Sequence, residues 1–203
     1  MKKPSAFIVR TAAFSSGTAF FLFGQLVFMT LLARLGDPVI FGAYTLATAL
    51  LNPLFFLARM GMRSAQATET SGELAFQTYR GLQYLLILIA IIVTLGMIHF
   101  LSTDEVVTFV LLAIAAAKVA ETISDLHYGL FLRYQKQNDI AISLIARSFL
   151  SVLFFILMDA VFGAKIAMLA LPLSWVLVLV FHDLLRARPL LIKEEKKLSS
   201  IKH

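Results

Sequence analysis

Long apolar segments recur along this chain, separated by short polar connections. A helix needs about 20 mainly apolar residues to cross the hydrocarbon core of a bilayer. Six segments meet this requirement, near residues 13–33, 39–58, 82–101, 106–123, 140–162 and 166–184. The apolar runs are continuous, whereas the strands of a membrane barrel alternate between apolar and polar residues. The pattern therefore predicts an all-α bundle of about six transmembrane helices.

The composition supports a membrane protein. The 203 residues are 60% hydrophobic and 15% charged, and the mean hydropathy is +0.86. A soluble domain carries about 25% charged residues. The absence of cysteine excludes disulfides and thiol chemistry but does not identify a compartment. The net charge of +6 lies mostly in the connections and the C-terminal segment, so we expect it to orient the chain and not to bind nucleic acid.

The distribution of lysine and arginine predicts this orientation. If the chain crosses six times, fourteen of these residues lie on one side of the membrane: Lys2, Lys3, Arg10, Arg59, Arg63, Arg80, Arg133, Lys136, Arg186, Arg188, Lys193, Lys196, Lys197 and Lys202. The other side has only Arg34 and Lys165. Because basic residues are concentrated in cytoplasmic loops, we expect both chain ends to be cytoplasmic.

Two polar segments extend beyond the spans. The connection from Arg59 to Gly81 lacks proline, so we expect span two to continue as a helix into the cytoplasm, followed by a short amphipathic piece at the interface. Residues 186–203 are basic and polar. We expect them to form a solvated cytoplasmic tail.

Polar residues recur at helical spacing within four of the six spans. Spacings of three, four and seven place side chains on one helix face. The stripes are Thr11, Ser15, Thr18 and Gln25; Thr45, Thr48, Asn52, Arg59 and Arg63; Lys118, Glu121 and Asp125; and Ser143, Arg147 and Ser151. We expect these faces to surround a shared interior. Span three has Thr94 alone near its middle and is expected to face lipid.

The charged members of these stripes are the candidate functional residues, because a charge at mid-bilayer costs about 2.5–3.5 kcal/mol on insertion scales. Lys118 and Glu121 lie one turn apart and are expected to pair, either as a structural lock or in the lining of a water-filled cavity. Arg147 has no acid at helical spacing on its own span, so Asp139 or Asp125 is its expected partner. Snorkelling to cytoplasmic head groups is the alternative for Arg147, and ordinary membrane anchoring is the alternative for the arginines that end span two.

The candidate interior is cationic towards the cytoplasm. Its members are Arg59, Arg63, Lys118 and Arg147, against Glu121 and Asp125 as the acidic groups expected inside the membrane. An anionic head group would be attracted to it, and the arginine fork suits phosphate oxygens. A lipid-linked pyrophosphate is a suitable candidate, because its tail stays in the bilayer while its head crosses a polar groove.

Two stretches resemble polysaccharide flippases of the MATE-like multidrug/oligosaccharidyl-lipid/polysaccharide exporter superfamily. Residues 32–37 (Leu-Ala-Arg-Leu-Gly-Asp) and 41–44 (Phe-Gly-Ala-Tyr) are similar to the run that opens the second span of that family. Residues 52–54 (Asn-Pro-Leu) and 60–69 (Met-Gly-Met-Arg-Ser-Ala-Gln-Ala-Thr-Glu) are similar to its next segment. The resemblance covers about residues 10–80, and Arg63 and Gln66 carry it most directly. It therefore adds Gln66 to the candidate substrate-binding residues.

The resemblance implies that the chain flips an undecaprenyl-pyrophosphate-linked oligosaccharide, such as an O-antigen or capsule unit, outward across a bacterial plasma membrane. Family members have about twice as many spans, arranged in two lobes. A second lobe would come from another copy of the chain, related by a two-fold axis along the membrane normal. The alternative is a truncated fragment without transport of its own.

Two other function classes compete with a flippase. The chain could be another small transporter, or an accessory subunit of a larger membrane protein. An integral membrane enzyme is disfavoured, because the sequence has no His-Glu-x-x-His run, no Gly-x-Ser-x-Gly elbow and no aspartate-rich cluster. We expect no catalytic residue, metal or cofactor.

Overall fold

A computed structural model describes residues 5–68, 76–101 and 104–201 of the chain. Within these ranges the secondary structure is helical, without strands. The elements are α1 (Ser5–Leu35), α2 (Pro38–Arg59), α3 (Met62–Thr68), α4 (Phe76–Leu101), α5 (Glu105–Arg133), α6 (Gln137–Phe162), α7 (Ala164–Ala167), α8 (Ala170–Val178), a π-helical turn (Leu179–Leu184) and α9 (Leu185–Ile201).

Six helical stretches of the described chain are long and apolar enough to cross a membrane, which confirms the predicted all-α bundle. They are Val9–Leu35, Pro38–Thr68, Phe76–Phe100, Glu105–Arg133, Gln137–Phe162 and Ala164–Glu194. An even number of crossings returns the chain to the side on which it started. The even count is compatible with the orientation predicted from the basic residues, in which both ends are cytoplasmic.

Local sequence determines where α2 begins and ends. The side chain of Asp37 accepts a hydrogen bond from the Val39 amide at 3.0 Å, and Pro38 occupies the first turn, as is typical of helix N-termini. At the other end Met60 and Gly61 have φ angles of 40° and 66°, which a continuous right-handed helix does not allow.

The first helix therefore stops at Arg59, and the predicted helical continuation of span two resumes as the separate helix α3 after a break of two residues. After the break, α3 packs against α5, with Met62 and Gln66 buried. Residues 69–75 of the predicted connection lie outside the described residues.

The bundle is organised around α5, α6 and α8. Helix α1 packs along α6, α2 packs along α5, and α8 contacts both α5 and α6. Glycines permit the close approach of α1: a Cβ on Gly17 would come within 2.6 Å of the Ala141 Cα on α6. Helix α4 packs against α2 and α5, with Gln83 and Thr94 buried. Most of the large apolar side chains of α4, in contrast, are exposed, in agreement with the expectation that the third span faces lipid.

The sixth span is a composite of α7, α8, the π-helical turn and the start of α9. The segment predicted as a solvated tail is helical to Ile201, and its first part packs against the bundle. Ala187 is fully buried, and Glu194 accepts a hydrogen bond from Arg133 Nη1 of α5 at 2.9 Å. Next to this pair, burial and the Glu194 carboxylate raise the pKa of the Tyr134 phenol above its usual value.

Candidate functional site

One face of α5 carries three charged side chains and a tyrosine. Lys118, Glu121, Asp125 and Tyr128 follow at spacings of three, four and three, so their side chains point the same way. The predicted pair is confirmed, with Lys118 Nζ 2.7 Å from Glu121 Oε2. The other oxygen of Glu121 lies 3.2 Å from Arg59 Nη1 of α2. One carboxylate therefore holds two cations from two helices.

A second ion pair joins α3 to the same face of α5. Arg63 Nη1 lies 3.2 Å from Asp125 Oδ1, and the two side chains are 26% and 17% exposed. Asp125 is thus bonded to Arg63 and does not pair with Arg147. Arg63 lies on α3, which packs against α5 after the break.

Arg147 has a partner that the sequence did not predict. Its side chain is 1% exposed, and its Nη2 lies 2.7 Å from Asp183 Oδ2 in the π-helical turn. It also donates to Ser124 Oγ of α5. Asp139 and Asp125 were therefore the wrong candidates, and a fully buried guanidinium does not snorkel to head groups. The expectation of only two acidic groups inside the membrane is also corrected, because Asp183 is completely buried.

Two aromatic rings connect these ion pairs. The Tyr128 ring centroid lies 5.5 Å from the Arg63 guanidinium carbon and 5.7 Å from that of Arg147. The Trp175 ring lies 5.6 Å from Lys118 Nζ and 5.9 Å from the Arg147 guanidinium. Such distances allow cation–π attraction. Arg147 thus lies within reach of both rings, and four cations from α2, α3, α5 and α6 form one connected cluster.

A cavity of about 210 Å³ opens beside Lys118, halfway along the spans. We call it the mid-membrane cavity. It is bounded by α1, α2, α5 and α8, and its lining is mainly hydroxyl, amide and aromatic: Gln25, Met29, Tyr44, Thr45, Thr48, Asn52, Ile114, Ala117, Lys118, Leu171 and Trp175. Of the stripe predicted on span one, Gln25 is the member that lines this cavity.

A larger cavity of about 470 Å³ lies at the C-terminal end of α2, the end that is predicted to be cytoplasmic. We call it the cytoplasmic cavity. Its lining combines charged and apolar side chains: Phe56, Leu57, Arg59, Met60, Gly61, Arg63, Ser64 and Asp125. The stripe predicted on span two therefore lines both cavities in succession. From Thr45 to Arg59 it covers about 21 Å of helix at about 1.5 Å per residue.

Gln66 occupies a different environment. Its side chain is fully buried where α3 packs on Gly129 of α5, and its amide has no hydrogen-bond partner among the described residues. It is not in the described lining of either cavity. The residue that the resemblance adds to the candidate set therefore lies apart from the other six, at a helix–helix contact.

The remaining six candidates come together as one cluster, but it is less cationic than the sequence suggested. Arg59, Arg63, Lys118 and Arg147 all have carboxylate partners. With Asp183 added there are three carboxylates for the four cations, so the formal excess is one positive charge and not two.

Three further members of the cluster were missed. Tyr128 could have been found, because it continues the stripe three residues after Asp125. Trp175 and Asp183 lie in an almost wholly apolar segment, where periodicity offers no stripe to place them.

The fold and this site define a polytopic α-helical membrane protein with a charged, aromatic-lined interior. Comparisons with protein-family models, with curated proteins and with solved structures give no match to this chain.

Proposed function

We propose that this chain is a flippase, or one lobe of a flippase, that moves a lipid-pyrophosphate-linked oligosaccharide across a bacterial plasma membrane for surface polysaccharide synthesis. The observation that carries the proposal is the succession of two cavities along one polar stripe of α2 and one charged face of α5. A continuous row of polar side chains inside an apolar membrane bundle costs free energy, and such rows often mark the path of a polar substrate.

The cytoplasmic cavity supports an anionic amphiphile as the substrate. Arg59 and Arg63 contribute planar guanidinium groups that match the geometry of phosphate oxygens. The same lining contains Phe56, Leu57 and Met60, whose side chains are 72%, 67% and 67% exposed. A diphosphate head and a prenyl tail would find complementary surfaces next to each other there.

The carboxylates favour reversible binding over tight binding. Glu121 and Asp125 already compensate the cations that a diphosphate would approach. The head group must therefore compete with internal ion pairs, which return when it leaves. A translocation site requires this behaviour, because the substrate has to be released on the far side.

The resemblance to two-lobed flippases supports assembly with a second lobe. With six spans and both ends cytoplasmic, a second copy related by a two-fold axis along the membrane normal has the correct orientation. We propose a homodimer as the transporting unit.

Reconstitution tests the proposal. The purified chain is placed in liposomes with a fluorescently labelled undecaprenyl-diphosphate saccharide, and the rate at which label becomes protected from an external quencher is measured. We expect Lys118→Gln to lower this rate about tenfold or more. Glu121 keeps Arg59 as a partner in this variant, so the fold should be preserved.

Lys165→Gln is the matched control. Lys165 also pairs with a glutamate, at 3.1 Å from Glu105 Oε1, but the pair is exposed at the other end of the bundle. Wild-type protein without flipping activity, or Lys118→Gln with the rate of Lys165→Gln, would contradict the proposal. If the transporting unit is a dimer that dissociates on dilution, the rate per chain rises with the protein-to-lipid ratio. A monomer mass in mild detergent, together with no cross-link between copies in native membranes, would contradict the dimer.

A further inference from the structure

Among the described residues, the ion pair with the least exposed side chains joins Arg147 of α6 to Asp183 in the π-helical turn Leu179–Leu184. Asp183 is 0% exposed, and its two carboxylate oxygens have different partners. Oδ2 lies 2.7 Å from Arg147 Nη2, and Oδ1 lies 3.0 Å from His182 Nδ1. π-helical turns are rare and often occur at functional sites, and an acidic residue within a span is a functional candidate by default.

The groups that face Asp183 come from three directions. Helix α6 contributes Arg147 and Ser143, and the π-helical turn itself contributes His182. Helix α5 contributes the hydroxyl of Ser124 and, within electrostatic range, His127 and Tyr128. Arg147 is the one permanent cation among these groups, because a guanidinium stays protonated in proteins.

Arg147 contacts both this buried carboxylate and a residue that lines the mid-membrane cavity. Its guanidinium lies 5.9 Å from the Trp175 ring, and Trp175 is part of the cavity lining. Its Nε has no hydrogen-bond partner among the described residues. One donor of the guanidinium thus remains unused while its Nη2 is bound to Asp183, so the side chain has capacity for a second anionic ligand.

We propose that Asp183 is a proton-binding site that shares Arg147 with the anionic head group of the substrate. The inference rests on the proposed function. When a diphosphate attracts Arg147, the carboxylate loses its cation and takes up a proton from water. When the diphosphate leaves, Arg147 returns to Asp183 and the proton is released. Neither a lone carboxylate nor a lone guanidinium is stable when buried, so the two binding events are positively linked.

This linkage is tested with farnesyl diphosphate, a soluble prenyl diphosphate, and the purified chain in detergent. Calorimetric titrations in two buffers of different ionisation enthalpy give the number of protons taken up on binding. We expect wild-type protein to take up about one proton more than Asp183→Asn. Its affinity should also rise as the pH falls from about 8 to about 5, by up to about tenfold per pH unit relative to the variant.

Proton uptake and affinity must be compared with those of Asp183→Asn, because farnesyl diphosphate itself gains or loses protons in this pH range. Glu105→Gln, which removes an exposed carboxylate at the other end of the bundle, should keep the wild-type proton uptake. His182→Gln is the second informative variant, since the imidazole contacts the same carboxylate. It should shift the pH of half-maximal uptake. Equal uptake in wild type and Asp183→Asn overturns the inference, as does an unchanged pH profile in His182→Gln.

A separate measurement distinguishes this inference from the proposed function. The carboxylate lacks its cation in Arg147→Gln, so infrared difference spectra of this variant between acidic and alkaline pH should contain the carbonyl band of a buried protonated carboxyl. The double variant Arg147→Gln/Asp183→Asn should lack the band. If Arg147→Gln shows this band but wild-type protein does not bind the diphosphate, the proposed function fails and the proton site stands. If the band is absent from Arg147→Gln, the proton site fails whatever the probe does.

Discussion

At the scale of single residues, the charges of this protein act as pairs. Arg63 and Asp125 are mostly buried and 3.2 Å apart. Removing one partner leaves the other charge without compensation in an apolar bundle, which destabilises more than removing both. The meaning of any single charge substitution at this site therefore depends on the partner that remains.

A double-mutant cycle tests this interdependence. We expect Arg63→Gln and Asp125→Asn each to lower the free energy of unfolding in detergent, and the double variant to lose less than the sum. The expected coupling is about 0.5–3 kcal/mol. The exposed Lys165 and Glu105 pair serves as control, with an expected coupling of about 0–1 kcal/mol. Additive effects at Arg63 and Asp125 would show that the pair is not formed.

At the scale of helices, close packing of α1 on α6 brings the first span into the bundle. Gly17 lies directly against the Ala141 backbone, and Gly24 lies against Ser148. Small residues at such contacts let helix backbones approach in membranes, where van der Waals packing replaces the hydrophobic effect as the driving force.

Gly17→Ala should therefore destabilise the bundle, since its Cβ would come 2.6 Å from a backbone atom that cannot easily move. Overpacking of this kind costs about 1–3 kcal/mol, measurable by unfolding in detergent. The same change at Gly96, also within a span, meets no atom within 4 Å. Gly96→Ala should be neutral or slightly stabilising. Similar behaviour of the two variants would argue against close packing of α1 on α6.

Hydropathy predicted the six spans because the bilayer requires a long apolar run for each crossing. It could not predict where the helices extend beyond the hydrocarbon, because polar helical ends are stabilised by specific contacts such as Arg133 with Glu194. The partner of Arg147 was mistaken for the same reason. Periodicity gives the face of each helix, but not which helices are neighbours, and the pairing of α6 with the sixth span decides that Arg147 meets Asp183.

At the scale of the whole molecule, the proposed path requires water inside the bundle as well as lipid outside it. Asn52 lines the mid-membrane cavity, whereas Leu88 of α4 is 54% exposed on the outer surface of the bundle. Both positions are accessible in the isolated chain. The proposed path predicts water at Asn52, whereas Leu88 is expected to face lipid.

The absence of cysteine makes this difference measurable without background. We expect Asn52→Cys to react with a charged, water-soluble thiol reagent in liposomes, because only the thiolate reacts and it requires water to form. Leu88→Cys should remain unlabelled in lipid and react after detergent denaturation. Equal labelling of both positions in liposomes would mean that the cavity is not hydrated.

The position of Trp175 has one more consequence. It is the only tryptophan of the chain, it lines the mid-membrane cavity, and its ring lies beside Lys118 and Arg147. Its indole also donates to Ser151 Oγ at 3.1 Å. The tryptophan fluorescence of the unlabelled protein therefore comes from this one residue, within the charged cluster. Displacement of Lys118 or Arg147 changes the electric field across the Trp175 indole, so the fluorescence of the unlabelled protein reports the displacement.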